Sequence, residues 1–365
     1  MKNAIYIILL LVFSSSCTNK NEYIINGTAI DDYEGKTIYL LANKNDSSII
    51  DSTIIANNKF TFKGIAPDSI QIAFISYDKR FYPAIFILEK GNISLDIDTA
   101  YNQHIKRGGT ALNEELQLYK DQLLNLKNNQ MAVVQQGYFI NRSDMTKEER
   151  LSWDNKNETI LNEIEDHVYN YIAKYSQSSL GKQIFIDDTD LLRPHKIGEL
   201  IKMFGPNSNI VTPDRKAYYI AQAETSPGKR YTDVKGYDID GKEIAFSDFV
   251  EKGNIVLIEY WASWCRPCIA ALPELKEFYK KNKDKDLVVI SVSLDHDKEK
   301  WLAATKKHNI EWPQLSNLKK WEDPAAMSYG IKGIPQLLLI DKNGIIAERN
   351  FDLEVIEQKF NEITK

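Results

Sequence analysis

Cys265 and Cys268 stand two residues apart in EYWASWCRPC, behind Trp261 and Trp264. Thiols at this spacing can exchange electrons as a dithiol and disulfide, supply half of a metal site, or form a structural staple. A structural zinc site takes about four ligands, usually from two such pairs or from one pair with two histidines. The one other cysteine is the distant Cys17, and His104, His167, His195, His296 and His308 are scattered without zinc-finger spacing. Haem attachment needs a histidine directly after the second cysteine, where Ile269 stands. Disulfides do persist in secreted proteins. A staple here, however, closes a loop of a few residues and constrains the unfolded chain little.

Redox chemistry fits the position best. A helix is expected to begin near Cys265, with Ile269, Leu272, Leu275 and Phe278 along one side and a kink at Pro273. Unpaired N–H groups and the positive end of the helix dipole stabilise a thiolate at such a start, and Arg266 adds a nearby charge. Cys265 is therefore the expected nucleophile. Cys268, one turn on, is shielded and resolves a mixed disulfide by attacking Cys265.

The elements around the pair follow from apolar runs. NIVLIEY reads as a buried strand that leads into the cysteines. Its Glu259 either lies buried, with a raised pKa suited to proton exchange with Cys268, or points to solvent at the strand's end. Strand alternation leaves both open. DLVVISVSL is a second buried strand, Asp297–His308 a helix carrying Trp301, QLLLI and IIAE a hairpin, and Val355–Ile363 a closing helix. Such an order gives a sheet covered on both faces. Gly333-Ile334-Pro335-Gln336 places a proline directly before the hairpin. A cis bond there turns the Ile334 backbone toward an extended substrate; an ordinary trans turn is the alternative.

Taken together, VLIEYWASWCRPC, DLVVISVSLD and GIKGIPQLLLID resemble the thioredoxin superfamily, and within it the TlpA/ResA-like thiol-disulfide oxidoreductases, over about residues 225–365. The resemblance implies an α/β thioredoxin-like domain with a central mixed sheet. Cys265 attacks, Cys268 resolves, Glu259 matches the buried acid, and Trp264, Arg266, Pro267, Ile334 and Pro335 border the substrate groove. The Cys265–Cys268 disulfide is the redox group, with no added cofactor or metal. Substrate proteins with cysteines or disulfides and a thiol electron donor are the implied partners, and reduction is the implied direction. Arg266 stands where some cytochrome-maturation members carry an acid, and VVISVSL holds no lysine to partner Glu259. A peroxiredoxin-like peroxidase and a binding lipoprotein with a non-catalytic thioredoxin-like domain are the rival readings.

Upstream, residues 22–100 read as seven short strands separated by turn formers such as Asp31-Asp32, Asn57-Asn58 and Gly91-Asn92, a small sandwich or barrel. Through IDSTIIANNKFTFKG this segment resembles the all-β domain of unassigned function that precedes thioredoxin-like domains in bacterial lipoproteins. Residues 110–205 read as helical. Leu112, Leu116, Tyr119, Leu123 and Leu126 form one stripe, and Leu161, Ile164, Val168 and Tyr171 form another behind a capping box at Thr146–Glu149. Gly205-Pro206, Pro213 and Pro227-Gly228 suggest a linker over 205–230.

The N-terminus carries Lys2, the apolar run Ala4–Phe13, then Ser14-Ser15-Ser16-Cys17. That run is too short to span a bilayer and fits a secretory signal. With Cys17 after small residues it resembles a bacterial lipoprotein signal over residues 1–17, in which Cys17 is lipidated. The expected location is the cell envelope, anchored by lipid and facing the periplasm or exterior. With Lys+Arg 46 against Asp+Glu 51 and a net charge of −5, the composition excludes disordered, collagen-like and generally nucleic-acid-binding chains.

Overall fold

A computed structural model describes residues 21–42, 49–76, 84–97, 105–139, 145–250 and 252–365; Cys17 and the rest of the leader lie outside them. The chain divides into two compact units, Met1–Phe185 and Ile186–Lys365.

In the first unit the strands are β1 (Glu22–Ala29), β2 (Thr37–Leu41), β3 (Ile49–Ile54), β4 (Lys59–Ile65), β5 (Gln71–Ser76), β6 (Ala84–Leu88), β7 (Gly91–Ile97) and β8 (Ile105–Gly108). They form two four-stranded sheets, ordered β4-β1-β7-β8 and β3-β2-β5-β6. Alternation drives the pairing: along β4, Phe60 and Phe62 turn inward while Lys59, Thr61 and Lys63 face water. Ile25, Phe62 and Ile93 from one sheet share a core with Ile38, Leu40 and Phe86 from the other, so the unit is a sandwich. It runs beyond the expected end at residue 100, because β8 pairs antiparallel with β7.

Two helices follow, α1 (Ala111–Val134) and α2 (Lys147–Lys174). Leu116, Tyr119 and Leu123 meet Ile164, Val168 and Tyr171 across them, and Tyr119 stacks on Tyr171 with ring centroids 4.1 Å apart. Leu161, expected in that stripe, is exposed instead. The capping box is present: Glu149 N–H donates to Thr146 Oγ1 at 3.2 Å and Thr146 N–H to Glu149 Oε2 at 2.8 Å. Buried Asn113 of α1 closes the outer edge of β6 by exchanging two hydrogen bonds with the Ile87 backbone, at 2.9 and 2.8 Å. Both peptide groups would otherwise be buried unpaired, each at about 1–3 kcal/mol.

Helix α3 (Ser179–Asp188) spans the division between the units, and the second unit continues with α4 (Pro194–Met203) and α5 (Pro213–Glu224). The expected linker over 205–230 and the helical segment ending at 205 are therefore corrected. Pro213 occupies the first turn of α5, where no backbone N–H is needed, so it starts a helix rather than breaking one. Gly198 lets α4 and α5 touch: a Cβ there would stand 1.9 Å from the Tyr219 carbonyl oxygen. Gln222 of α5 donates at 2.6 Å to the Gly330 carbonyl, so these helices pack with the thioredoxin-like fold beyond them.

That fold opens with a hairpin of β9 (Lys235–Tyr237) and β10 (Glu243–Ala245) and the short α6 (Ser247–Val250). Then come β11 (Ile255–Trp261), α7 (Arg266–Asn282), β12 (Leu287–Ser293), α8 (Lys298–Lys307), β13 (Gln314–Leu315), α9 (Pro324–Ser328), β14 (Gln336–Ile340), β15 (Ile346–Asn350) and α10 (Leu353–Ile363). The sheet order is β13-β12-β11-β14-β15. β13, β12 and β11 run parallel, β14 is antiparallel to β11 and β15 is antiparallel to β14, so the sheet is mixed as the resemblance implied. All seven residues of β11 are buried, as a central strand covered on both faces requires. α7 and α10 pack together through Phe278 and Phe360, 5.4 Å between ring centroids. Tyr260 points the other way, its hydroxyl donating at 3.2 Å to the Ala325 carbonyl of α9. Among the described residues no helix is long and apolar enough to cross a membrane.

Candidate redox site

The site forms where β11 gives way to α7. A buried carboxylate fixes the loop between them: Asp295, just past β12, accepts from Ser263 N–H at 2.9 Å, Ser263 Oγ at 2.6 Å and Ser293 Oγ at 2.8 Å. Ser263 is thus held two residues before the nucleophile position. Cys265 is the N-cap of α7, and its sulfur accepts from the Cys268 N–H at 3.2 Å. A negative sulfur at this point gains that hydrogen bond and the positive end of a 17-residue helix.

Cys265 and Cys268 are joined, S–S 2.03 Å with Cα atoms 5.3 Å apart. Cys265 keeps 4% of its surface exposed and Cys268 none. An incoming thiolate therefore reaches the Cys265 sulfur first. Arg266 and Pro267 are exposed beside it. The Ile334 carbonyl oxygen lies 3.8 Å from Cys265 Sγ, and the Ile334–Pro335 bond is cis. Antiparallel pairing of Tyr260 with Gln336 and Glu259 with Leu337 brings this loop to the cysteines, although it lies about 70 residues along the chain.

Glu259 is buried at 2% exposure, which decides between the two placements open from the sequence. It sits under α7 and lines a cavity of about 260 Å³ with Ala271, Leu275, Pro335, Leu337 and Leu353. Ala271 lies three residues beyond Cys268, close to one turn along α7, so the cavity that Glu259 lines meets that helix one turn past the resolving thiol. Burial pushes the Glu259 pKa up to about 7, against the lowering effect of a hydrogen bond from Ser291 Oγ. Ser291 is held in turn by Trp312, whose Nε1–H donates to Ser291 Oγ at 2.7 Å. This pair stands where a lysine was missing. Ser291→Ala removes a bond to the charged form of the acid, so the midpoint of Glu259 ionisation moves to higher pH, by about tenfold in proton affinity. Carboxyl infrared or NMR titration of the variant checks this; an unchanged or lower midpoint rejects it.

Ser291, Trp312 and Asp295 were not singled out in the sequence, since only strand register sets Ser291 opposite Glu259. Trp264 is half-exposed beside the nucleophile and meets a second exposed tryptophan, Trp321, from the loop after β13. Among the described residues no three His, Cys, Asp or Glu side chains come together as a metal site.

A cysteine at a helix start that keeps a small part of its surface exposed, a fully buried partner and a buried acid under the same helix define a dithiol–disulfide exchange centre. Residues 253–346 match the family described as thioredoxin-like, and residues 23–116 match a domain of unknown function, DUF4369. The chain is 28% identical over 133 residues, 36% of its length and 74% of the other's, to the thiol-disulfide oxidoreductase ResA of Bacillus thuringiensis subsp. konkukian. A solved C-terminal domain of a putative thiol-disulfide oxidoreductase from Bacteroides thetaiotaomicron is 29% identical, covering 39% of this chain and 97% of that one at a TM-score of 0.36. Another, from Bacteroides vulgatus, is 30% identical and covers 39% and 99%, at a TM-score of 0.35. Residues 253–346 thus form a thioredoxin-like domain, and the chain is a thiol-disulfide oxidoreductase.

Proposed function

We propose that the chain is a lipid-anchored envelope protein that reduces disulfides in partner proteins. In its dithiol form, the Cys265 thiolate attacks a partner disulfide, the partner's S–S bond breaks, and one partner sulfur leaves as thiolate and takes a proton. Cys268 then passes its proton to the Glu259 carboxylate and attacks Cys265 Sγ, releasing the second partner sulfur. The partner ends as a dithiol and the domain as the Cys265–Cys268 disulfide, and a thiol donor must return two electrons for the next turn. Trp264, Arg266, Pro267, Ile334 and Pro335 border the groove in which the partner segment lies.

The observation that carries this reading is the unequal pair: the cysteine whose sulfur holds the helix-start hydrogen bond is also the one that keeps a little exposed surface, 4% against none. Reduction as the direction, and lipidation at Cys17 as the anchor, are supported by the sequence resemblance alone. One experiment addresses both. The full-length chain and its Cys17→Ser variant are expressed in a bacterial envelope, acid-quenched and alkylated, then fractionated. Membrane association lost in the variant, with a mainly dithiol pair in the unchanged chain, is the expected outcome. Association independent of Cys17 removes the anchor, and a fully oxidised pair at steady state removes the reducing direction.

A further inference from the structure

Three of the tryptophans in the second unit, Trp261, Trp301 and Trp312, are buried, whereas Trp264 keeps 49% and Trp321 41% of its surface in water. The exposed two are not scattered. Their ring centroids lie 6.1 Å apart with planes at 63°, an edge-to-face pair that begins one residue from the nucleophile. Aromatic rings bury about 150–250 Å² each, so two left half-exposed side by side make a contiguous apolar patch of the kind that marks binding sites.

Trp321 is also held out by a braced loop. Asp323, fully buried, accepts from Asn317 N–H and Ala325 N–H, both at 2.9 Å, and Ser316 Oγ donates at 2.8 Å to the Ser293 carbonyl. Between these clamps Leu318 and Lys320 adopt φ of 57° and 52°, a region that costs any residue other than glycine. The backbone is thus fixed in a disfavoured shape whose visible result is a ring beside Trp264.

We propose that Trp264 and Trp321 form a clamp for an aromatic side chain next to the reactive cysteine of the partner peptide, which makes Trp321 a specificity-determining residue. The proposal rests on the protein-disulfide exchange proposed above. Its occupant follows from continuity with the nucleophile: consecutive Cα atoms are about 3.8 Å apart, so a peptide whose sulfur meets Cys265 brings only its nearest residues to these rings. Aromatic contacts of this kind are worth about 0.5–1.5 kcal/mol each.

The test uses synthetic peptides that share one sequence and a cysteine in mixed disulfide with glutathione, differing only in Phe or Ala at the positions flanking that cysteine. Dithiothreitol recycles the full-length protein. The unchanged protein is expected to favour the Phe peptides about tenfold in kcat/KM, mainly through KM. Trp321→Ala brings the ratio close to one, and Trp321→Phe retains most of it. Because the readout is a ratio, it holds even where a variant lowers the folded fraction. Equal rates on Phe and Ala peptides in the unchanged protein, or a preference that survives Trp321→Ala, overturns the clamp while leaving exchange itself intact. Failure to reduce any of the peptides overturns both.

Discussion

Cys268→Ser converts the protein into a trap: turnover of protein disulfides falls to the uncatalysed background, and a covalent adduct accumulates at Cys265. The reason is the division of labour between the two sulfurs. Cys265, which keeps 4% of its surface exposed and has the Cys268 N–H on its sulfur, is the thiol proposed to make the first bond. Release needs a second thiolate one turn away, and a serine hydroxyl ionises far too weakly to break a disulfide. Cys265→Ser also abolishes turnover but leaves no adduct, because the remaining thiol is wholly buried. Non-reducing electrophoresis with a disulfide-bearing protein such as insulin distinguishes the two. Adducts formed by Cys265→Ser and not by Cys268→Ser reverse the assignment, and unchanged turnover in both removes this pair from the reaction.

How far the sequence carried follows from how far apart the interacting groups are. The N-cap sulfur and the capping box at Thr146 are contacts across three residues, and both were legible, as were seven strands marked by turn formers between β-favouring runs. β8 was not: IKRG is four residues with two cations, and its buried Arg107 guanidinium is satisfied by distant partners, donating at 2.9 Å to the Ile85 carbonyl and at 3.1 Å to Gln117 Oε1. Pro213 was misread because a proline that would break a helix interior starts one in the first turn, whereas Pro206 and Pro227 do lie in turns. In the redox site the nucleophile was legible and the surroundings of the acid were not. Ser291 reaches Glu259 across a strand pair, Trp312 comes from beyond α8, and the loop carrying Trp321 takes its shape from the buried Asp323.

Glu259 carries a large pH-linked effect between pH 4 and 8. With a pKa of about 7 when folded against an ordinary 4.5, it binds a proton more tightly in the folded chain than in the unfolded one. Its contribution to stability is therefore fully present below pH 4.5, falls as pH rises toward 7, and stays lost above. At ~1.36 kcal/mol per pH unit, the whole loss is about 3 kcal/mol. Glu259→Gln keeps a neutral group of similar shape at every pH. The variant should match the unchanged protein near pH 4 and exceed its stability by about 3 kcal/mol at pH 8. Denaturation of the oxidised full-length chain, followed through the tryptophans of the second unit, reads the difference. The same change removes the group proposed above to accept the Cys268 proton, so resolution of the mixed disulfide is expected to slow by about 10²-fold or more. Stability gained at pH 8 together with exchange lost identifies a buried charge kept for its chemistry. A variant that is no more stable at pH 8 than the unchanged protein shows instead that Glu259 is already well solvated through its cavity, and an unslowed resolution step shows that the Cys268 proton leaves by another route.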